Sequence, residues 1–364
     1  MSLTFIKAEP KIDFIGMRKI FYALSVIAIL AGVASLLVKG GPTYGIDFAG
    51  GAVVQVKFDK PVSDEQTKNA LAGVNLPGLT IQQIGADADS EYLIRISETQ
   101  STESLRDDLS KALAENLPQA KAEIQRVEMV GPKVGADLRS QAIEALFYAS
   151  LLIAIYISGR FEHRWVVAGI MAVVLAGGLY LLGQMGVPRG WLVLAATIIT
   201  CVVCIKLKLV YALGAVVGLI HDIAFTVGVL SLLDIEVDLI IIAAILTIIG
   251  YSLNDTIIVF DRIRENLRAK KYPTFAETIN RSINQTLSRT ILTSGTTAIV
   301  VVALFFLGGS IIHNFALTLL VGIVVGTYSS IFVSSPILLV FGEPEEPKKK
   351  ETAVIVRDEN GAVV

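Results

Sequence analysis

Charged side chains are scarce in this chain. Only 18% of its 364 residues are Asp, Glu, Lys or Arg, whereas roughly 25% is usual in soluble domains. Hydrophobic residues make up 53% of the chain, and the mean hydropathy is +0.65. This balance excludes an ordinary soluble protein and indicates an integral membrane protein. The formal net charge of -2 says little about partners, and nothing in the composition suggests nucleic-acid binding.

Cysteine is scarce as well. The two cysteines, Cys201 and Cys204, lie three positions apart in an apolar segment. Such a pair can bind metal or act in redox chemistry. A single pair on a membrane helix, without a second set of ligands, is more typical of two small apolar side chains. We therefore expect no metal site, no cofactor and no enzymatic reaction.

Long apolar runs are what the chain has in abundance. An apolar run of about 20 residues is long enough to cross a membrane as a helix. The sequence predicts eight spans, which begin near Ile20, Ala142, Val166, Trp191, Leu209, Leu239, Ile291 and Phe315. The first run exceeds the length of a signal-peptide core and continues past a passable cleavage site at residues 32–34. We therefore expect a retained membrane anchor there.

One segment between the first two spans is too polar to lie in lipid. Residues 39–135 show strand-like and helix-like patterns in the order β-α-β-β-α-β. The first of these helices is predicted to begin at a capping pattern formed by Ser63 and Gln66. This order predicts a small soluble α+β domain of the ferredoxin-like (βαββαβ) type.

Basic residues predict the orientation, because loops rich in Lys and Arg stay in the cytoplasm. Under the eight-span count all the basic clusters fall on one side. They are Arg18 and Lys19, Arg160 and Arg164, Lys206 and Lys208, the cluster between residues 262 and 281, and Lys348, Lys349 and Lys350. We expect both chain ends in the cytoplasm and residues 39–135 in the periplasm.

These patterns give a predicted domain map of an α-helical polytopic membrane protein. Its parts are a cytoplasmic N-terminus at 1–17, the first span at 18–38, the periplasmic domain at 39–135, the second span at 136–159, a hairpin of two spans at 165–208, a bundle at 209–340 with a cytoplasmic loop at 261–290, and a cytoplasmic tail at 341–364.

The stretch from Gly250 to Asn266 carries polar residues where the membrane makes them costly. Asn254 and Asp255 lie within the apolar run, and Asp255 is about 9 Å inside the water boundary at Asp261, by helical rise. A carboxylate there costs roughly 2.5–3.5 kcal/mol on insertion scales. Asp255 is therefore a functional candidate; the alternative is a carboxyl that bonds to a neighbouring helix for packing.

Arg289 is a candidate partner for Asp255. The chain re-enters the membrane at Arg289 from the side by which it left at Asp261, so the two side chains can face one another. A carboxyl in an apolar setting holds its proton more tightly, and a nearby guanidinium loosens it. An arginine that moves away and returns would let Asp255 take up and release a proton. The alternative is that Arg289 merely extends to the membrane interface.

A second candidate is the pair His221 and Asp222, near mid-membrane. Adjacent helical residues point about 100° apart, so both cannot face one channel, and one of them is expected to bond to a neighbouring helix. Asp222 is the better candidate for a proton path, because a lone membrane histidine is often a packing partner.

Hydroxyl side chains and glycine pairs recur in the later spans. We expect most of them to serve helix contacts, with the hydroxyls bonded to the backbone. The hydroxyl residues are Thr293, Ser294, Thr296, Thr297, Thr327, Ser329, Ser330, Ser334 and Ser335, and the glycine pairs are Gly214 with Gly218 and Gly322 with Gly326.

Several sequence blocks resemble the SecF family of bacterial protein-export subunits. The blocks are Gly45-Ile46-Asp47-Phe48-Ala49-Gly50-Gly51, residues 130–135, Arg160-Phe161-Glu162, His221-Asp222, residues 250–266 and residues 290–297. The resemblance implies membership of the resistance-nodulation-division superfamily and a multi-pass protein of the bacterial inner membrane. It also implies use of the proton-motive force to promote late steps of preprotein translocation. The implied partners are SecD, the SecYEG channel, the translocating preprotein and protons, with YajC as a further candidate.

The resemblance also assigns residues. Asp255 matches the proton-handling aspartate of the family, with Asn254 beside it, and Arg289 matches its facing arginine. His221 and Asp222 match a family pair. A structural motif and hinge for the periplasmic domain is expected at Gly45, Asp47, Gly50, Gly51, Gly131 and Pro132, with flexibility also at Gly40 and Gly41.

One feature departs from the family pattern. SecF proteins ordinarily have six spans, whereas residues from about His163 to Lys208 add a hairpin here. Two extra spans return the chain to the same side, so later elements keep their orientation. Two alternative functions stay open: a non-transducing scaffold of the export complex, and a proton-driven exporter of lipids or small molecules. A single small external domain argues against the exporter, because such transporters have paired repeats.

Overall fold

The computed structural model describes residues 10–74, 76–84, 90–97, 102–187 and 189–342. It consists mostly of long helices, with one small antiparallel sheet. Residues 1–9 of the predicted N-terminal segment lie outside the described residues, as does the predicted tail beyond Gly342 with its three lysines.

The order of elements follows the predicted order. In sequence they are α1 (Phe14–Lys39), α2 (Ile46–Ala49), β1 (Gly51–Phe58), α3 (Asp64–Leu71), β2 (Thr80–Ile84), β3 (Glu91–Ile96), α4 (Thr102–Asn116), β4 (Ala122–Val130), α5 (Pro132–Glu162), α6 (Trp165–Gln184), α7 (Arg189–Lys206), α8 (Val210–Leu232), α9 (Leu239–Arg268), α10 (Phe275–Leu307), α11 (Gly309–Ser329), a π-helical turn (Ser330–Ser334) and α12 (Ser335–Phe341).

Seven helical segments in the described residues are long and apolar enough to cross a membrane, if α11, the π-helical turn and α12 count as one. The apolar helix α7 is shorter. Much of the predicted loop at 261–290 is helical, because α9 continues to Arg268 and α10 already begins at Phe275.

The sheet domain, formed by β1–β4 with α3 and α4, has a two-layer core. Its strands lie in the order β2-β3-β1-β4, and all neighbouring strands are antiparallel. Alternate residues of β1 and β3, such as Val54 and Ile94, are buried with Leu109 and Leu113 of α4. The predicted capping box is confirmed, because Ser63 and Gln66 bond to each other's backbone at the start of α3.

Helices α1 and α8 form a parallel pair in constant register. Gly32 meets Gly228 so closely that a Cβ on Gly32 would lie 2.5 Å from the Gly228 Cα. One helical turn further on, the hydroxyls of Ser35 and Ser231 lie 2.8 Å apart. Small residues permit this close approach of two helices. The same register brings Ser25 of α1 against His221 of α8.

The hairpin α6–α7 packs against α5, and α7 also contacts α8. The buried contact consists of Phe147, Leu151, Met171, Leu175, Leu192 and Ala196. Cys201 and Cys204 lie on α7 among buried apolar side chains of the helical bundle. The outer surface of the hairpin is strongly apolar, as a lipid-facing surface requires.

The glycine-rich block at residues 45–51 joins the sheet domain to the start of α9. The N–H of Gly45 donates to the Val237 carbonyl at 2.9 Å, and the Asp47 carboxylate accepts the N–H of Leu239 at 3.0 Å. Gly50, with φ +79°, packs directly on Pro132. These contacts favour a structural role for the block over a free hinge. Open space surrounds Gly40 and Gly41 instead.

An ion pair reinforces this junction. Arg95 of β3 pairs with Glu236 in the loop before α9, and both side chains are only 22% exposed. Burial lowers the pKa of Arg95, which the nearby Asp238 carboxylate partly offsets. Burial also raises the pKa of Asp238, which caps α9 by accepting the Ile241 N–H. The sheet is thus tied to the end of α9 at Leu239.

Charge reversal at this junction provides a test. We expect Arg95→Glu to speed amide hydrogen exchange at residues 233–240 about 10- to 100-fold, because a hydrogen bond between charged groups contributes roughly 1.5–3 kcal/mol. Glu236→Arg should act similarly, and the double reversal should restore slow exchange. Lys57→Glu, which alters a more exposed pair on the same sheet, serves as control. Unchanged exchange in both single variants would show that the pair does not hold the junction.

Candidate functional site in the membrane

Asp255 of α9 is held between three helices by hydroxyl groups. Its side chain is 1% exposed. Its Oδ2 accepts a hydrogen bond from Ser294 of α10 at 3.1 Å, and the Ser294 hydroxyl accepts one from Thr327 of α11 at 2.7 Å. Its Oδ1 is buried without a hydrogen-bond partner among the described residues. One oxygen of this carboxyl is therefore satisfied and the other is not.

The structure does not bring Arg289 into contact with Asp255. Among the described residues no ion pair within 4.0 Å joins them, and the Arg289 side chain is exposed, although it is near enough to act electrostatically. Arg289 and Ser294 are five positions apart and so point about 140° apart on α10. Ser294 has the inner position. Asn254, beside Asp255, is likewise exposed.

His221 and Asp222 of α8 are buried, with 6% and 1% of their side chains exposed. The Asp222 Oδ2 accepts hydrogen bonds from Ser252 of α9 at 2.5 Å and Ser329 of α11 at 2.9 Å. Its Oδ1 lies 3.0 Å from the His221 Nδ1, whose ring extends to Ser25 of α1. Both residues thus bond to neighbouring helices, in different directions, and also to each other.

The hydroxyl groups around the two acids were not singled out from the sequence. The sequence predicts that most hydroxyls of the later spans bond to the backbone, as Thr293 and Thr296 do. Ser294 and Ser329, however, donate to carboxyl groups, and Thr327 donates to Ser294. Ser25, Ser252 and Tyr328 also belong to the site. A signal existed for Ser252, because it precedes Asp255 by three positions and so shares a helix face.

Glycines let the hydroxyl-bearing helices approach one another. A Cβ on Gly326 of α11 would lie 2.8 Å from the Ser252 Cβ, and one on Gly322 would overlap Ile248. Gly214 and Gly218 of α8 contact Ser334 in the same way. These contacts agree with the helix-packing role that the sequence predicts for both glycine pairs.

The Arg160-Phe161-Glu162 block joins the ends of three helices. The Glu162 carboxylate accepts the N–H of Tyr211 at 2.9 Å and caps α8, whose own N-cap, Leu209, provides no side-chain bond. Arg160 pairs with Asp261 of α9 at 2.5 Å. The Phe161 ring packs against the rings of Tyr211 and Phe260. This block fixes the spacing of α5, α8 and α9.

In the described part of the chain, no three His, Cys, Asp or Glu side chains come together as metal ligands would. What the buried carboxyl, imidazole and hydroxyl groups can do is accept, hold and donate protons.

Comparison with known protein families identifies the family of this chain. The family described as "Protein export membrane protein SecD/SecF, C-terminal" matches residues 109–189 and 189–344, and the "SecD/SecF GG Motif" matches residues 35–62. The chain belongs to the SecD/SecF family. The second match covers the glycine-rich block that binds the sheet domain to α9.

Similar proteins carry the SecF name. A "Protein translocase subunit SecF" of Desulfurispirillum indicum is 41% identical over 345 residues, which cover 92% of this chain and 94% of that protein. The SecF of Vibrio alginolyticus is 38% identical, and the match covers 94% and 93% of the two chains.

The fold is also similar to a crystal structure of SecDF, a translocon-associated membrane protein from Thermus thermophilus. The TM-score is 0.67 at 30% sequence identity, over 92% of this chain. The present chain spans only 39% of the length of that SecDF chain.

Glu162 offers a test of how the helix ends are fixed. We expect Glu162→Ala to lower the free energy of unfolding by about 0.5–2 kcal/mol, the usual effect of losing a helix cap. Thermal unfolding in detergent would measure the change. Glu265→Ala, which removes a carboxylate from an exposed ion pair on α9, is the control and should have almost no effect. Equal stability of both variants would contradict the capping role.

Proposed function

We propose that this SecF-family chain works with SecD in the Sec export machinery and uses the proton-motive force to promote late steps of preprotein translocation. The observation that supports this most is the unpartnered, buried Oδ1 of Asp255. The names of its relatives support the assignment to protein translocation. The chain is a transport subunit, and no enzymatic reaction is assigned to it.

Asp255 is the proposed proton carrier. An ionised carboxylate in the membrane without a paired cation costs several kcal/mol, so the arrangement with Arg289 turned outward suits a protonated Asp255. Ser294 already donates to Oδ2, which leaves Oδ1 to carry the proton. An inward movement of Arg289 would favour release of that proton. Alternation between these two arrangements forms the proposed cycle.

The proposed partner completes this site from outside. Asn254 and Arg289 are polar, yet both are exposed on helices that lie in the membrane. Gly250 and Gly295, on the same two helices, have open space where a side chain would stand. A face with polar and small residues suits a neighbouring helix better than lipid. We assign this face to SecD; the preprotein, the SecYEG channel and YajC are further proposed partners.

The proposed topology has eight spans, with α7 as the short eighth. The six family spans are then α1, α5, α8, α9, α10 and the segment from α11 to α12, and α6–α7 is the inserted hairpin. In this proposal both chain ends lie in the cytoplasm and residues 39–135 in the periplasm, and the distribution of the basic clusters supports it. The parallel arrangement of α1 and α8 agrees with this topology, because both would run outward. We propose the bundle at 209–340, the cytoplasmic loop at 261–290 and the cytoplasmic tail at 341–364 as parts of this topology, with the ends of α9 and α10 extending into the loop.

We also assign the sheet domain to the ferredoxin-like class. Its element order and the strand order β2-β3-β1-β4 support this. In the proposed cycle the domain moves against the translocating chain. A Cβ added at Gly131 or Gly40 would meet nothing within 4 Å, which supports a hinge there, whereas Gly45, Gly50 and Gly51 are tightly packed. Asp47 and Pro132 belong to the packed part.

Asp255→Asn tests the proton-carrier role, because asparagine has a similar volume but cannot ionise. We expect export by reconstituted vesicles to fall to the rate seen after the proton gradient is collapsed. Glu265→Gln, ten positions along the same helix in an exposed ion pair, should keep nearly the full rate. Gradient-dependent export at the normal rate in assembled Asp255→Asn would support the scaffold alternative instead.

Arg289→Lys tests the role of the guanidinium. Lysine keeps the charge but loses the planar fork of donors that suits a carboxylate. We expect gradient-driven export at a rate between those of wild type and Asp255→Asn, with unchanged assembly with SecD. A full rate would show that Arg289 only extends to the membrane interface.

A further inference from the structure

A continuous series of hydrogen bonds runs from the backbone of α1 to Asp222. The Tyr328 hydroxyl lies 2.7 Å from the Phe21 carbonyl and 2.8 Å from the Ser25 hydroxyl. Ser25 lies 3.0 Å from the His221 Nε2, and the His221 Nδ1 lies 3.0 Å from the Asp222 Oδ1. The series crosses from α11 to α1 and then to α8.

The direction of each bond follows from the carbonyl at one end. A carbonyl oxygen only accepts, so Tyr328 donates its single hydroxyl proton to Phe21. The Tyr328 oxygen then accepts from Ser25, which has no second proton to donate. Ser25 must therefore accept from His221, and this requires a proton on Nε2.

At the other end of the imidazole, one proton is left to be shared. The Asp222 Oδ2 already accepts from Ser252 and Ser329. A hydrogen bond between the Asp222 Oδ1 and the His221 Nδ1 needs one proton, carried by either atom. Without that proton, two lone pairs would face each other at 3.0 Å in a buried site, which is strongly unfavourable.

We propose that Tyr328 and Ser25 are positioning residues that fix the Nε2 proton of His221, so that the His221–Asp222 pair binds and releases one proton between Nδ1 and Oδ1. The pair is neutral overall with this proton bound. On release the proton goes to water and the pair carries one negative charge, while Nε2 keeps its hydrogen. This assignment of a second proton site deepens the proposed function and rests on it.

The same part of α11 contacts both acids. Thr327 bonds to the Ser294 that serves Asp255, Tyr328 belongs to the series leading to His221, and Ser329 donates to Asp222. A π-helical turn follows directly at Ser330, and such turns are frequent at functional sites. Helix α11 therefore contributes hydrogen-bonding groups to both proposed proton sites.

The surroundings of the pair contain few other groups that titrate. The pair is contacted by Ser25 from α1, Ser252 from α9 and Tyr328 and Ser329 from α11. Among the described residues, Tyr328 is the one other titratable group in this hydrogen-bond series. Changes at Nδ1 therefore report on the pair itself.

Nitrogen-15 NMR of histidine in the full-length protein in lipid vesicles tests the proposal. The chain has only 3 histidines, so replacing His163 and His313 one at a time assigns the His221 signals. We expect Nε2 to stay protonated across a pH titration, while Nδ1 changes from bonded proton to lone pair as pH rises. A neutral His221 with its proton on Nδ1 would overturn the proposal.

Tyr328→Phe removes the hydroxyl group that sets the donor and acceptor roles along the hydrogen-bond series. We expect the ratio of Nε2-protonated to Nδ1-protonated neutral His221 to fall about two- to tenfold, the effect of one hydrogen bond. Tyr22→Phe is the matched control, because the Tyr22 hydroxyl on α1 has no hydrogen-bond partner among the described residues. Unchanged His221 signals in Tyr328→Phe would also overturn the proposal.

The export assay separates this proposal from the proposed function. Tyr328→Phe should slow gradient-driven export, whereas Tyr22→Phe should not. The NMR measurement does not depend on transport and is repeated in Asp255→Asn, where the His221 signals should keep their pattern. Normal export by Asp255→Asn with the expected His221 signals would reject the proton-driven function alone. Loss of the Nε2 preference in wild type would reject the second site alone.

Discussion

The structure depends on one constraint: two carboxyl groups lie inside a membrane bundle, and no Lys or Arg of the described residues forms an ion pair with either of them. Asp222 and Asp255 are each served by hydroxyl groups from neighbouring helices. A hydroxyl reaches only a short distance, so the helices that carry these groups must pack closely. Glycines at the contacts, above all Gly326, make that approach possible. The hydrogen bonds of the two acids therefore require the same close helix packing that the glycines permit.

The same helices connect the buried acids with the sheet domain. Helix α9 carries Asp255, and about 24 Å away by helical rise its first turn is held by Asp47 and by the loop that pairs with Arg95. Helix α1 leads into the sheet domain and packs in register on α8, which carries Asp222. The sheet domain is thus connected to Asp255 along α9, and to Asp222 through the packing of α8 on α1.

Hydroxyl partners also suit a site that changes its charge. A permanent ion pair would keep a carboxylate ionised, whereas serine and threonine stabilise a charged or a neutral carboxyl by rotating their single proton. Arg289 is near enough to Asp255 to act electrostatically, yet it is exposed and no ion pair joins the two side chains. In such a site, a small movement of α10 or α11 alters proton binding. The block around Glu162 fixes the ends of α5 and α8 and the adjoining part of α9, on the side of the bundle away from the sheet domain.

Much of the architecture was predictable because its signals are local. Apolar runs predict a multi-pass membrane protein, and seven of the described helical segments are long and apolar enough to cross a membrane. Periodicity predicts the order of strands and helices in the sheet domain, and the Ser63 cap is confirmed. The insertion cost of Asp255 marked it as a candidate from its position alone. Helices α9 and α10 extend beyond the apolar runs into polar sequence, where hydropathy gives no signal.

The sequence by itself determined that the protein is a membrane protein with a small α+β domain and a costly acid at Asp255. Only the tertiary structure decided which groups meet that acid: Ser294 and Thr327 lie inside, while Arg289 and Asn254 lie outside. Similarly, Ser25 and Tyr328 join His221 from helices about 200 and 100 positions away in the chain. The physical reason is that the rotation of each helix about its axis is set by packing against other helices, which no local pattern encodes.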